Sequence, residues 1–266
     1  MIRKAITEEL DKLSGSCGLA IHDLETGEAV LENETEVFPA ASIIKLFILW
    51  ELFRRVDTGE INLCQELMLQ ETDKVGGFGI LKELHTGLKV TYRDLALLMI
   101  VLSDNVATNI LIDTLGMANI NATIRQQGFL HTSLQRKMMD GKAKEQGLDN
   151  YTTAYDVKML LMGLEQQTAT LSSASRQQFI DILKQQQCNN KLPTLLPTGT
   201  ILAHKTGDLP QVEHDAGIMY VKDKPVVVVV MTKDLVNNLE GVKFHNVIGK
   251  IVYDYFSSRR VRSDEK

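Results

Sequence analysis

Cysteine is scarce in this chain. Three residues in 266 (Cys17, Cys64 and Cys188) are an odd number, far apart, with no C-x-x-C pair. That argues against a disulfide framework or a zinc site, and leaves them as buried thiols. A strong excess of one charge is missing too: 29 Lys and Arg stand against 34 Asp and Glu, a formal −5. The longest basic block is Arg259-Arg260-Val261-Arg262, at the tail. A nucleic-acid binder needs clustered positive charge to displace phosphate counterions, so that class is excluded. No apolar run reaches the ~20 residues that span a bilayer. The longest, Pro225 to Met231, has the length of a buried strand. The first ten residues carry two acids and no apolar segment of leader type, so the expected compartment is the cytoplasm. An extracellular or periplasmic placement would require a leader removed beforehand. Aromatic residues are only 6%, and the single Trp50 is expected in the core.

What is present is globular. Hydrophobic residues at 44% and charged residues at 24% match ordinary soluble domains. Ile2, Ile6, Leu10 and Leu13 recur at helical spacing. Cys17 to Leu24 alternates, Glu25 to Glu28 makes a turn, and Ala29 to Glu32 returns, which predicts a hairpin. Ser42 to about Val56 is apolar nearly all round, so that helix is predicted in the middle of the molecule. From Asp57 to about Asn190 the pattern is helical, with a T-x-x-D capping signal at Thr91 to Asp94. Gly116 and Gly128 close two of its helices. Strands are predicted at Ile201 to Thr206, Glu213 to Val221 and Val226 to Thr232, then a helix from Val236 to Phe256. The expected fold class is α+β: one five-stranded antiparallel sheet flanked by terminal helices, plus an all-helical lobe. As domains, this reads as one catalytic unit of two lobes. Residues 1–56 and 191–266 build the sheet lobe, and 57–190 the helical lobe, with a cleft between them as the place for a site.

Ser42-Ile43-Ile44-Lys45 sets a hydroxyl and an amine at i and i+3, neighbours on one helix face. Ser42 falls at a predicted helix N-terminus, where free N–H groups and the dipole favour an oxyanion. Lys45, buried against apolar residues, would lose preference for its charged form and could take the serine proton. Alone this motif is weak, since S-x-x-K arises roughly once by chance in such a chain, and Ser263 to Lys266 is a second match. Ser103-Asp104-Asn105 and Lys205-Thr206-Gly207 change the odds, each having on the order of a few per cent chance of occurring at random. The first follows a helix; the second ends a strand before a turn.

With these three motifs in this order, the chain resembles the β-lactamase and penicillin-binding-protein superfamily, and more narrowly the class A β-lactamase-related serine hydrolases. The resemblance covers nearly the whole chain. It implies Ser42 as the acylated nucleophile, Lys45 as its proton partner and Ser103 as a proton relay to the departing nitrogen. It implies that Asn105 binds the substrate's side-chain amide and that Asp104 holds its loop from inside. Lys205 and Thr206 would receive the substrate carboxylate. Gly207 would let substrate approach the strand, and the backbone N–H groups of Ser42 and Asp208 would form the oxyanion hole. No metal or organic cofactor is implied. The expected partner is a small molecule, a β-lactam or an acyl peptide or ester, with neither nucleic acid nor membrane, for a protein read as a monomer.

One part departs from the family pattern. The loop glutamate that activates the deacylating water stands two residues after an arginine, and here Met138 follows Arg136. Asp140, or Glu145 within a stretch (Glu145 to Asp149) resembling E-x-x-L-N, are the candidate replacements. The resemblance implies β-lactam hydrolysis. The alternatives are a D,D-peptidase or esterase with slow deacylation, or a binder that is acylated once. His204 is read as a packed histidine. A Ser–His–Asp triad through His214 is conceivable, but Lys45 makes it unnecessary.

Overall fold

The computed structural model describes residues 2–264; the second S-x-x-K match, ending at Lys266, lies outside the described residues. The chain opens with α1 (Ile2–Leu10), followed by β1 (Ser16–Asp23) and β2 (Ala29–Glu32), the expected hairpin, with Leu19 opposite Glu32. Next come β3 (Val37–Pro39), a 3-10 turn at Ala41–Ile43, and α2 (Ile44–Asp57). Every residue of α2 from Ile44 to Phe53 is buried, as its all-round apolar surface requires.

Helices dominate the next stretch, but not alone. β4 (Glu66–Met68) and β5 (Lys89–Thr91) pair with each other before α3 (Tyr92–Val101). α4 (Asn105–Leu115), α5 (Met117–Gln126) and α6 (Gly141–Glu145) precede β6 (Tyr151–Thr153), which pairs with β3. α7 (Ala154–Glu165) and α8 (Ser173–Leu183) complete the region. The expectation of an all-helical 57–190 is therefore corrected by three strands of three residues each. Such strands are too short to display a period of two and owe their existence to pairing partners distant in sequence. Local signals worked better where they are chemical: Thr91 caps α3 in a full capping box with Asp94, and Gly116 ends α4 with φ 78°.

β7 (Ile201–Leu209), β8 (Val212–Val221) and β9 (Lys224–Lys233) return to the sheet, and α9 (Asn238–Asp264) closes the chain. The five-stranded antiparallel sheet has the order β2-β1-β9-β8-β7, so β7 is an edge. Helices cover both faces. Val226, Val228 and Val230 of β9 pack with α1 and α9, while Val227, Val229 and Met231 join the core built around α2. Burial on both sides is why β9 reads as an unbroken apolar run. No helix among the described residues is long and apolar enough to cross a membrane.

Candidate active site

The turn that presents Ser42 is tight. Ala41 takes a left-handed φ of 45°, and the edge strand presses against the turn at Gly207. A Cβ on Gly207 would lie 3.1 Å from the Ala41 Cβ and 3.3 Å from the Ser42 nitrogen. This glycine is thus explained first by the approach of strand to turn, where the sequence suggested approach of substrate to strand.

Ser103 is the hub of the polar cluster. It sits between α3 and α4 with φ 54°, another left-handed position, and donates to Ser42 Oγ at 2.8 Å. Lys45 Nζ donates to Ser103 Oγ at 3.0 Å, to Ser103 O at 2.7 Å and to Asn105 Oδ1 at 3.0 Å. Lys205 Nζ reaches Ser103 Oγ at 3.1 Å and Thr206 O at 2.8 Å. One hydroxyl therefore joins the nucleophile candidate to two amines. Both lysines are fully buried. Burial, then the neighbouring Lys205, pushes Lys45 well below the ordinary lysine range. Burial also brings Lys205 down to about 8. Thr206 Oγ1 is buried and hydrogen-bonds no protein group. Such a cluster can move a proton from Ser42 through Ser103 to an amine that is readily neutral, while a second amine and a free hydroxyl await an anion.

Asp104 fixes the hub. Its Oδ1 caps α4 by accepting from Ala107 N at 3.0 Å, and its Oδ2 accepts from Ile80 N at 2.7 Å and Leu81 N at 2.9 Å. Asp104 is wholly buried, so all three donors lose their partner if it is truncated. Asp104→Ala is expected to cost about 2–4 kcal/mol of stability, read as a lowered urea midpoint. Those contacts anchor the loop Gly76-Gly77-Phe78-Gly79, which displays Phe78 at the site mouth. Phe78 O accepts from Asn105 N at 3.0 Å, and Gly76 O from Asn105 Nδ2 at 3.2 Å.

A cavity of about 390 Å³ opens over Ser42, walled by Asn105, Phe78, Met138, Asp140 and Asp208, among others. Its floor loop is pinned at the neck. Arg136 Nε lies 2.8 Å from Asp149 Oδ1, and Asn150 Oδ1 accepts from Gln135 N at 2.7 Å and Arg136 N at 3.1 Å. Asp149, the last residue of the stretch resembling E-x-x-L-N, therefore serves as the ion-pair partner of Arg136. Glu145 itself is exposed at the end of α6 and absent from the cavity wall. Asp140 is in that wall, but its Oδ1 caps α6 by accepting from Ala143 N at 3.0 Å. Met138 is buried and clasped by Asn109: Met138 N donates to Asn109 Oδ1 at 2.8 Å, and Asn109 Nδ2 donates to Met138 O at 3.1 Å.

The histidines are engaged elsewhere. His204 packs between Asp215 (2.7 Å) and Asn189 (2.9 Å). His214 Nε2 meets Pro39 O at 2.8 Å, and burial holds its pKa down at about 3, so it stays neutral and turned away from a triad role. Among the described residues no group of three or more His, Cys, Asp and Glu is arranged to hold a metal ion. Sequence reasoning missed Asn109, although its position four residues after Asn105 puts both on one helix face. It missed the Phe78 loop, although three glycines in four residues mark one. It also missed Lys191, a fully buried lysine at Asp208 that no local pattern announces.

Comparison with known proteins agrees with this fold. The family described as the β-lactamase enzyme family matches residues 1–256. The extended-spectrum β-lactamase PER-1 of Pseudomonas aeruginosa is 25% identical over 229 residues, 82% of this chain and 74% of that protein. A β-lactamase structure from Sphaerobacter thermophilus DSM 20745 superposes with a TM-score of 0.85 at 30% identity, covering 94% of each chain. The structure of PBP-A does so at 0.88 and 30%, covering 97% of this chain and 96% of that one. A mutant of PBP-A at the same TM-score and identity has been solved as an acyl-enzyme complex with penicillin-G.

Proposed function

We propose that this chain, which belongs to the β-lactamase enzyme family, opens the ring of a small β-lactam with Ser42 and releases the product slowly. Membership makes it a serine β-lactamase-type hydrolase; the allocation of roles and the slow second step are the proposal. The carrying observation is the Ser103 hydroxyl, within 2.8 Å of Ser42 Oγ and 3.0 Å of Lys45 Nζ.

In this reading neutral Lys45 takes the Ser42 proton through Ser103 as Ser42 Oγ bonds to the lactam carbonyl carbon. The oxyanion is held by the backbone N–H groups of Ser42 and Asp208. The carbon–nitrogen bond then breaks, the nitrogen takes its proton from Ser103, and Lys45 returns one to Ser103. Lys205 and the Thr206 hydroxyl receive the substrate carboxylate, and Asn105 the side-chain amide. Hydrolysis of the ester needs a base beside the attacking water. Met138 supplies none, and Asp140 is committed to capping α6. A persistent acyl-enzyme is the consequence, and the likeness to PBP-A, whose mutant was solved acylated with penicillin-G, supports it. The same machinery with slow release also suits a D,D-peptidase or esterase.

Acylation by carboxylate-bearing β-lactams should weaken as pH rises through about 8, where free Lys205 loses its proton and its attraction for the anion. Second-order acylation constants between pH 6 and 10 check this. The central test is intact-protein mass after mixing with a penicillin, followed from seconds to hours, with digestion to locate the adduct. An adduct on the Ser42 peptide that outlasts its formation supports the reading. One that vanishes as fast as it forms overturns slow release, and one mapping elsewhere overturns Ser42 as nucleophile.

A further inference from the structure

Behind the edge strand lies a buried lysine that the reaction scheme does not use. Lys191, between α8 and β7, is fully buried, with Nζ 2.9 Å from Asp208 Oδ1 and 2.5 Å from Glu213 Oε2. It also donates to two backbone carbonyls, Gly207 O and His214 O, each at 3.0 Å. Gly207 and His214 are partners across β7 and β8. Charge pairing alone accounts for the carboxylates, and the choice of carbonyl adds something else. Gly207 O belongs to the same planar peptide unit as the N–H of Asp208. That N–H is one of the two donors assigned to the oxyanion.

We propose that Lys191 is a positioning residue of the oxyanion hole. By holding Gly207 O it fixes the plane of the 207–208 peptide and makes the Asp208 N–H a stronger donor. The inference rests on the Ser42 acyl-enzyme reading. A hydrogen bond accepted at the oxygen of an amide reinforces the resonance that keeps it planar, and so draws electron density from its nitrogen. A charge-assisted bond does this roughly twice as strongly as a neutral one. Placement matters equally. Gly207 packs against Ser42, so the two N–H donors share one rigid corner, and a tilt of the 207–208 plane would separate them.

The same ammonium answers an electrostatic difficulty. Asp208 puts a carboxylate one residue from the proposed oxyanion and into the cavity wall, where its charge would oppose the anion forming there. Burial alone would raise the pKa of this carboxyl, but Lys191, helped by a hydrogen bond from Glu213 and the charge of Lys205, makes the net shift downward, and the charge is paired with the Lys191 ammonium.

The test is Lys191→Met, which removes the charge at similar length. Wild type and variant are acylated with a penicillin carrying ¹³C at the lactam carbonyl, and isotope-edited infrared spectra read the ester carbonyl, whose frequency falls as oxyanion-hole bonds strengthen. The variant is expected at higher frequency, with a second-order acylation constant lower by roughly 10- to 100-fold. Lys191→Gln, which keeps a neutral donor toward Gly207 O, is expected between the two. A lysine serving stability alone would lower the melting temperature and leave the carbonyl frequency of the folded acyl-enzyme unchanged, and that result overturns the proposal. Should Lys191→Met not fold, Lys191→Gln decides, a frequency equal to wild type being fatal. If wild type takes no label, the Ser42 reading fails and carries this inference with it. If wild type is labelled and the frequencies coincide, only this inference falls.

Discussion

Met138→Glu is expected to turn a persistent acyl-enzyme into one that clears, raising deacylation by on the order of 10²- to 10⁴-fold, the range a general base contributes. The backbone at this position is already held, since Asn109 bonds both its N–H and its C=O. The Arg136–Asp149 pair ties the loop neck below it. Met138 lines the cavity that holds Ser42. Glutamate is unbranched and of similar length to methionine, so a carboxylate would arrive in the same cavity wall. What changes is chemistry: a thioether accepts protons from nothing at neutral pH, and a carboxylate does. The time course of the intact-mass adduct reads the effect directly. Acylation should move far less than deacylation, because the groups that carry it lie on the Ala41–Ile43 turn, α2, β7 and the α3–α4 link. A Met138→Glu adduct that lasts as long as the wild type's would mean that something other than a missing base limits release.

The second large effect is at Lys45. Lys45→Met is expected to lower the acylation constant by on the order of 10³- to 10⁴-fold, because the serine proton loses its destination. Methionine matches the length of the lysine stem, and the site is fully buried. Loss of the amine leaves Ser103 O, Ser103 Oγ and Asn105 Oδ1 without this donor, so the melting temperature should fall modestly while activity falls by orders of magnitude. That split separates loss of chemistry from loss of fold. The pH dependence carries the same signature. Burial and the nearby Lys205 favour neutral Lys45, so wild-type acylation should rise with pH through a value well below the ordinary lysine range. The variant should lack that limb. A Lys45→Met enzyme acylated at the wild-type rate would remove Lys45 from the scheme.

How far the sequence could be read depended on the range of the interaction. Long elements with a strong period were legible: the hairpin of β1 and β2, the buried helix α2, and the three C-terminal strands, each within a few residues. Short strands were not. β4, β5 and β6 exist because a partner lies 20 or more residues away, and three residues hold no period to detect. The site divides the same way. Ser42, Lys45, Ser103 and Lys205 announce themselves because their chemistry is written in contiguous motifs, and the fold brings all four to one hydroxyl. The loop acids left alternatives open because the ion pair that closes the loop joins residues 13 apart, and no contiguous motif spells it out. Lys191 was invisible because its meaning lies in which carbonyl it touches.

Three non-glycine residues in left-handed backbone surround the cavity: Ala41, Ser103 and Met139, with φ of 45°, 54° and 62°. Each conformation costs roughly 1–2 kcal/mol relative to the ordinary regions. They lie on three separate segments, so no single local sequence imposes them; the scaffold as a whole does. The cleft is consequently a reservoir of elastic energy held by the surrounding core, and the protein gives up thermal robustness to keep its reacting groups aimed. Glycine at Ala41 or Met139 should release part of that energy and raise the melting point. Selection for heat tolerance alone would therefore drift toward a more stable protein whose nucleophile turn and cavity rim are less firmly set.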